Sequence, residues 1–480
     1  MTAKIWADMT GTIAGLRSNQ AHLKDDDEDA FPTTPSHGHQ HMKAALMFVD
    51  MNDFVHFMFN ADDDGDERSA AVVLKEHAKR RKSYGCKHAE TLRRRRDELI
   101  RDALRDYFSK LAAAIDAYGG EIVSFIGDAV LAAWFVKDTL DEHRTMVSAT
   151  RMAAFCAENV AEHVHGRMMC ARWTIAVKIM VSCGSVVIIN TGVGLSESGA
   201  LLLGQAIDDL YTLKRSMRPG RVAYSARGLH FLEDAHTITA AETRAWVMPS
   251  LSRSPLRDSL AARASALVDD DGYARARSCV GVGCARAVCA VTFFRFIVDR
   301  ARERRGDIEY VHAIQRAVDV IHHGVLESAG VVVQIVVDED GPACLCAFGL
   351  SQTRDHHASS RAVRCAHHVL AAFARDLPWF TTAVGISTGC VNIGPAMTRR
   401  ELTLIGVPVI LAARFADTAL KTSAGRSSVH MLLDSTTRVE ADETMRDFAA
   451  TTTTTTTTRM DVRLKGFPSL VRAYAVAVVD

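Results

Sequence analysis

The sequence predicts an α+β protein built from two similar halves. Three observations predict it. Apolar runs of strand type alternate with amphipathic runs of helical period. The order of these runs in the second half loosely repeats the order in the first. The 480 residues, 48% hydrophobic and 24% charged, suffice for two or three domains with real cores.

Residues 1–40 read as a disordered N-terminal segment. They are acidic, contain Pro32 and Pro35, and run into the alternating His37, His39 and His41, a pattern that can hold metal adventitiously. Residues 41–56 form an apolar strand and the start of a helix. Residues 60–96 read as an insertion. Its acidic run, Asp62-Asp63-Asp64-Gly65-Asp66-Glu67, does not make a calcium loop. Asn60 fills the first position, Glu67 the usual apolar one, and Ala71 the place of the bidentate Glu. The basic runs Lys79–Lys82 and Arg93–Arg96 suit a solvated loop or helix face better than an anionic partner. An amphipathic helix spans 97–118, with Leu99, Ile100, Ala103, Leu104, Tyr107, Phe108, Leu111, Ala114, Ile115 and Tyr118 on one face. Gly119-Gly120 ends it.

Strands then flank a tight turn at Gly127-Asp128. A helix follows near 140–164, strands near 173–190 and 200–205, and a helix near 206–217. That alternation on one sheet suggests a ferredoxin-like core. The second half echoes it. Ala287–Phe296 matches the first strand, Ile308–Ala329 the long helix, and Gly330–Gly349 the hairpin, with Gly341 aligned to Gly127. Thr381–Ile393 matches 173–188, and Leu404–Val409 matches Leu202–Ile207. The expected domains are therefore 41–235 and 286–480, joined by an Ala-, Arg-, Ser- and Asp-rich linker at 236–285. The run Thr451–Thr458 is expected to be a surface loop without a role.

Bulk properties exclude several function classes. The formal net charge is zero, so no global field favours nucleic acid or an acidic membrane. The 11 cysteines are odd in number and form no Cys-x-x-Cys pair. That argues for reduced thiols in a cytoplasmic protein, not a disulfide framework or a zinc site; Cys344 and Cys346 read as core residues. The N-terminus lacks a signal-peptide pattern. The longest apolar stretch, around 173–203, is broken by Lys178, Asn190 and Glu197 and reads as paired strands, not a membrane span.

Two aspartates carry the chemical signal. Asp50 closes the apolar run Ala-Leu-Met-Phe-Val-Asp, and Asp128 follows the turn glycine Gly127. Paired carboxylates of this kind can seat divalent ions that handle phosphates. On spacing alone, strand-end aspartates are more commonly turn or cap residues, and that reading stays open.

The surrounding motifs, Phe-Val-Asp-Met-Asn-Asp-Phe (48–54) and Tyr-Gly-Gly-Glu-Ile-Val-Ser-Phe-Ile-Gly-Asp (118–128), resemble the catalytic domain of class III nucleotide cyclases. The paired domains of soluble adenylyl cyclases are the nearest pattern. The resemblance covers most of 41–235 and, more weakly, 286–478. It implies two ferredoxin-like cyclase domains forming an intramolecular pseudo-dimer, with metal carboxylates from one half and base and transition-state contacts from the other. In the second half Ile297 and Pro342 stand in the places of Asp50 and Asp128, so one metal site is expected.

The implied activity is an adenylyl cyclase that converts ATP to cyclic AMP and pyrophosphate. Two Mg²⁺ or Mn²⁺ ions would be held by Asp50, Asp128 and the Met51 carbonyl, and backbone N–H groups after Asp50 would meet the triphosphate. Lys178 matches a triphosphate-binding lysine, Arg414 the transition-state arginine, and Thr403 a base-contacting threonine. Lys465 matches a common Lys-Gly near the domain's end. The chain also departs from the family. Asp53 replaces a glycine near the phosphates, Ile410 replaces the ribose-orienting Asn, and Gln334 replaces the adenine-selecting Lys. These departures favour the alternative, a catalytically degenerate pseudo-cyclase that binds nucleotide. At the second site the bicarbonate-binding Lys and Arg of soluble adenylyl cyclases are Ser124 and Tyr211, so bicarbonate is not expected to activate.

Overall fold

The computed structural model describes residues 39–60, 87–136, 141–169, 173–191, 200–233, 285–298, 308–338, 340–350, 355–395, 402–423, 429–451, 456–467 and 469–477. Most of the N-terminal segment, the 62–67 acidic run, the Lys79–Lys82 run and nearly all of the linker lie outside the described residues.

The first half opens with β1 (His39–Met51), followed by α1 (Phe54–Asn60) and the long α2 (Lys87–Ala117). A hairpin of β2 (Glu121–Ile126) and β3 (Ala129–Phe135) leads to α3 (Glu142–His163). A small ribbon, β4 (Met168–Met169) with β5 (Trp173–Thr174), precedes β6 (Val177–Asn190), β7 (Ala200–Leu203), α4 (Gln205–Ser216), β8 (Val222–Tyr224) and α5 (Ala226–Glu233). The sheet order is β2-β3-β1-β6-β7, with β8 joining β6 in parallel.

The second half repeats this order with additions. It runs β9 (Ala285–Val298), α6 (Ile308–Glu327), β10 (Gly330–Asp338), β11 (Gly341–Phe348), α7 (Ala358–Asp376), β12 (Phe380–Pro395), β13 (Leu402–Ile405) and α8 (Val407–Ser423). Then come β14 (Val429–Leu433), α9 (Ser435–Glu440), α10 (Asp442–Thr451), β15 (Thr456–Val462) and β16 (Val471–Ala477). Its sheet order, β10-β11-β9-β12-β14-β16-β15 with β13 on β12, places β9 where the first sheet places β1.

The apolar run of β1 explains its central place. Successive side chains point to opposite faces. Ala44, Leu46 and Phe48 enter a core that continues through Leu210 and Tyr211 into Val337 of the second half. Ala45, Met47, Val49 and Met51 enter a different core beneath α2 and α3. Burial on both faces is why the strand reads as a near-continuous hydrophobic run rather than an alternating one. In the second half, α8 lies so close to β12 that a Cβ on Gly385 would stand 2.0 Å from the Ala412 carbonyl oxygen. Only glycine permits that approach, and it fixes the helix that carries Arg414.

The two sheets also touch. The Tyr211 hydroxyl on α4 donates to the Val337 carbonyl on β10. The Phe48 and Tyr211 rings meet edge to face, centroids 5.6 Å apart. The turn at Gly466 rests on Val55 of α1.

Four expectations change. Strand β1 begins at His39, so the N-terminal segment yields its last two residues to the sheet. Helix α2 begins at Lys87, not near 97, and takes in the Arg93–Arg96 run. The elements β8 and α5 were not foreseen. The threonine run is not simply a loop: Thr451 ends α10, and Thr456, Thr457 and Thr458 pair with Ala477, Val476 and Ala475 in β15–β16. Threonine is β-branched and suits a strand, a preference that low complexity conceals. No helix among the described residues is long and apolar enough to cross a membrane.

Candidate functional site

The site forms at the carboxyl end of β1. Asp50 is its penultimate residue. The chain then leaves the sheet through Asn52, whose N–H donates to the Ala176 carbonyl at 2.7 Å, and Asp53, at φ 59. That left-handed conformation explains a glycine in the resembling family, and Asp tolerates it better than most residues. The Asp53 carboxylate is exposed and accepts from Asn52 Nδ2 at 2.6 Å.

Asp128 arrives through the β2–β3 hairpin. Ile126 pairs with Ala129, leaving Gly127 and Asp128 as a two-residue turn. Gly127 has φ 65, the positive value that the first position of such a turn demands. Strand β3 runs antiparallel to β1 with Val130 opposite Val49, so extending that register brings Asp128 alongside the end of β1. Burial first, and the neighbouring Asp50 carboxylate second, push the Asp128 pKa up to about 8. Its backbone hydrogen bond, Lys214 and Arg414 pull the other way.

Two sequence-predicted cations reach this corner. Lys178 is directly opposite Asp50 in the β1–β6 register, and directly opposed residues project to the same face. Arg414 comes from α8 of the second half, close enough for its charge to favour ionised Asp128. Arg414 Nη1 also lies 3.4 Å from Asp417 Oδ2, one turn away.

The remaining expected residues are less concentrated. Met51 is buried at the end of β1, its residue opposite Val177. Gln334 lies on β10, but its side-chain amide donates to the Phe125 carbonyl of the first half. Thr403 lies on β13 opposite Gly394. Lys465 is exposed in the turn that rests on α1. Ile410 packs against an apolar core of each half.

Sequence reasoning missed three features. Lys214, in the last turn of α4, places Nζ 3.2 Å from Asp50 Oδ1 and 5.2 Å from the centre of the Phe48 ring. Tyr107 of α2 is fully buried, and its hydroxyl has no hydrogen-bond partner. Burial, then Asp128 and Asp50, raise that hydroxyl's pKa. The third is a buried ion network. Arg295 on β9 meets Asp338 through two hydrogen bonds of 2.6 and 2.8 Å, and its Nε lies 2.7 Å from Asp417 Oδ1. The one available signal was a single charge inside the apolar run Thr-Phe-Phe-Arg-Phe-Ile-Val.

No three His, Cys, Asp or Glu side chains among the described residues form a metal cage. The corner offers two carboxylates, Asp50 and Asp128, with the Met51 carbonyl the expected third donor. Hard carboxylate and carbonyl oxygens suit Mg²⁺ or Mn²⁺. Asp128 stays raised in spite of Lys214 and Arg414, and the Tyr107 hydroxyl, which feels the same carboxylates, has no hydrogen-bond partner.

The corresponding positions of the second half hold no carboxylate. Ile297 lies against Gly341, and Pro342 is buried. Tyr211 is buried with its hydroxyl committed to Val337, and the Ser124 hydroxyl is buried without a partner. Neither residue offers a cation to an anion. Bicarbonate at fixed pH is accordingly expected to leave nucleotide turnover or binding unchanged. Several-fold stimulation in a cyclic-nucleotide assay would overturn that expectation.

No protein-family model matches the chain, and no curated protein matches it in sequence. Its fold matches solved structures. A class III adenylyl cyclase-like ATP-binding protein from Pseudomonas aeruginosa aligns over 84% of this chain and 85% of its own, at 12% identity and a TM-score of 0.51. An adenylyl cyclase from the same organism aligns over 41% of this chain and 97% of its own, at 16% identity and a TM-score of 0.33. The guanylate cyclase domain of a Catenaria anguillulae protein, solved with GTP, aligns over 41% and 100%, at 14% and 0.31. The fold assignment rests on the first. The chain has the fold of class III nucleotide cyclase domains.

Proposed function

We propose that this chain is a class III nucleotide cyclase acting on ATP, with its two halves paired as an intramolecular pseudo-dimer. The observation that carries this reading is the meeting of Asp50, Asp128 and Lys178 from one half with Arg414 from the other. Two carboxylates and a lysine on a shared sheet end are the chemistry a metal-bound triphosphate needs. An arginine from across the cleft is the chemistry that developing phosphoryl charge needs.

In this reading the ribose 3′-hydroxyl attacks the α-phosphate. A new O3′–P bond forms, the bond from the α-phosphorus to the bridging oxygen breaks, pyrophosphate leaves with its electron pair, and the hydroxyl proton passes to water. Asp50, Asp128 and the Met51 carbonyl would hold Mg²⁺ or Mn²⁺, whose Lewis acidity would lower the cost of ionising the hydroxyl and of gathering the phosphates. Lys178 neutralises the triphosphate. Arg414, held by Asp417, faces the transferring phosphoryl group. Thr403 and Gln334 lie on the strands that would border the base, and Lys465 sits in the turn over α1.

A second reading has a specific observation behind it. Ile410 is packed among apolar neighbours, and the Gln334 amide is spent on Phe125. Neither is disposed to orient a ribose or select adenine, and lost positioning can cost orders of magnitude in rate. The solved structure that aligns over 84% of this chain is itself a class III adenylyl cyclase-like ATP-binding protein. The alternative is therefore a pseudo-cyclase that binds nucleotide without turnover.

One experiment separates them. Cyclic nucleotide production is measured with Mn²⁺ and either ATP or GTP for wild type, Asp50→Ala, Asp128→Ala and Ile410→Asn. The expected result is slow cyclic AMP formation by wild type, none by either Asp variant, and a gain of at least about tenfold in Ile410→Asn. No product from wild type or Ile410→Asn, with both folded and binding nucleotide, would establish the pseudo-cyclase.

A further inference from the structure

We propose that the ammonium group of Lys214 is a resident cation of the carboxylate corner, so that the corner takes up one divalent ion where a pair of free carboxylates would take two. The inference deepens the proposed function and rests on the same Asp50–Asp128 pair.

Lys214 is not placed like an ordinary helix-end lysine. A lysine in the last turn normally reaches into water or toward the last helix carbonyls. This one turns inward. Its side chain is only 23% exposed, its Nζ lies 3.2 Å from Asp50 Oδ1, and it stands over the Phe48 ring. Phe48 and Asp50 alternate on β1 and share a face, so one lysine spans both. The aromatic face and the carboxylate hold the same ammonium from two directions.

The position also reaches beyond Asp50. The charge of Lys214 favours the ionised forms of Asp128 and of Asp338 across the sheet contact. It therefore acts on both carboxylates that would bind metal. The charge count decides the outcome. Once an arriving metal has displaced the Asp128 proton, Asp50 and Asp128 supply two negative charges, and the Lys214 ammonium beside Asp50 cancels one. One divalent ion then leaves the corner with a single positive charge, ready for a triphosphate. A second must enter against both the first ion and an ammonium already sharing an Asp50 oxygen. Without Lys214, one ion would merely neutralise the pair, and the second would be far less opposed.

The Tyr107 hydroxyl fits the same picture. It is buried, lacks a protein partner and feels both carboxylates. Its unpaired hydroxyl leaves a hydrogen bond to offer to a water that a bound ion would carry.

The test is Mn²⁺ binding to the metal-free full chain without nucleotide, followed by calorimetry and by loss of the free-Mn²⁺ electron-spin-resonance signal. Wild type, Lys214→Met, Lys214→Arg and Asp50→Asn are compared, each checked for folding by circular dichroism. Wild type should bind one Mn²⁺ per chain. Lys214→Met should bind a second, or bind the first at least tenfold more tightly. Lys214→Arg should behave as wild type, and Asp50→Asn should bind much more weakly. Two ions on wild type overturn the inference whatever the variants do, as does identical binding by wild type and folded Lys214→Met. Binding of a fluorescent ATP analogue separates the two levels. If the analogue binds but metal stoichiometry ignores Lys214, only this inference fails. If neither analogue nor Mn²⁺ binds any form, the nucleotide reading fails with it.

Discussion

Arg295→Met is expected to destabilise the fold by about 3–5 kcal/mol, the usual cost of removing one partner from a buried ion pair. Arg295 is 2% exposed on β9, three positions before its end at Val298. Its guanidinium grips both Asp338 oxygens and lies 2.7 Å from Asp417. Without it, two enclosed carboxylates face each other with no cation between them. The direction at each partner shows how much depends on the arginine. Burial alone would raise Asp338, yet the charge and hydrogen bonds of Arg295 outweigh it and hold Asp338 below its ordinary value. At Asp417 burial wins, and its pKa stays raised despite the same arginine. The paired Asp338 thus contributes stability above the ordinary carboxylate range and loses it as pH falls. Urea unfolding at neutral pH measures the effect. Adding Asp338→Asn to Arg295→Met should recover part of the loss, because it removes one stranded charge. A loss under about 1 kcal/mol would mean that water reaches the cluster and the ions are not truly enclosed.

The second large effect concerns Asp128 in the metal-free chain. Its pKa is raised from the ordinary 3.8 to about 8 by burial and then by Asp50. The folded chain therefore holds this proton more tightly than the unfolded chain does. The associated stability is complete below about pH 4 and is lost as pH rises through about 8. Asp128→Asn keeps the shape and removes the ionisation. It should be more stable than wild type by on the order of 2 kcal/mol near pH 8, with the gap closing near pH 4. The figure is below what the whole shift would give because Asp128 keeps part of its surface exposed. Thermal melts of both proteins in chelator across that window check it. Mn²⁺ should narrow the gap at pH 8 by stabilising wild type alone. A gap that does not change with pH would refute the assignment.

The contrast between these two clusters explains what the sequence could and could not reveal. Residues 45–50 and 119–128 were legible because apolar runs and turn glycines encode strand ends locally. The register that sets Lys178 opposite Asp50 is a consequence of pairing strands more than a hundred residues apart. It was reachable only through resemblance. Lys214 was not legible at all. A lysine near the end of an amphipathic helix has a ready explanation in solvent, and nothing local shows that it bends back over Phe48. Arg295 sits in a strand whose neighbours are apolar, and its partners lie 43 residues away on β10 and far along on α8. The threonine run misled for the opposite reason. Its composition suggested a loop, while its side-chain branching suited the strand that forms.

The threonine tract makes the chain tolerant of a change in its length. Here the tract feeds β15, whose threonines pair with Val476 and its neighbours, and whose distinct residues are Arg459 to Val462. Those four anchor the alignment. One codon more or fewer would slide another threonine into the place of Thr456 and leave the remaining pairs unchanged. An added or lost threonine is therefore expected to leave stability nearly unchanged, whereas the same insertion inside residues 459–462 would turn the side chains on one side of it to the opposite face.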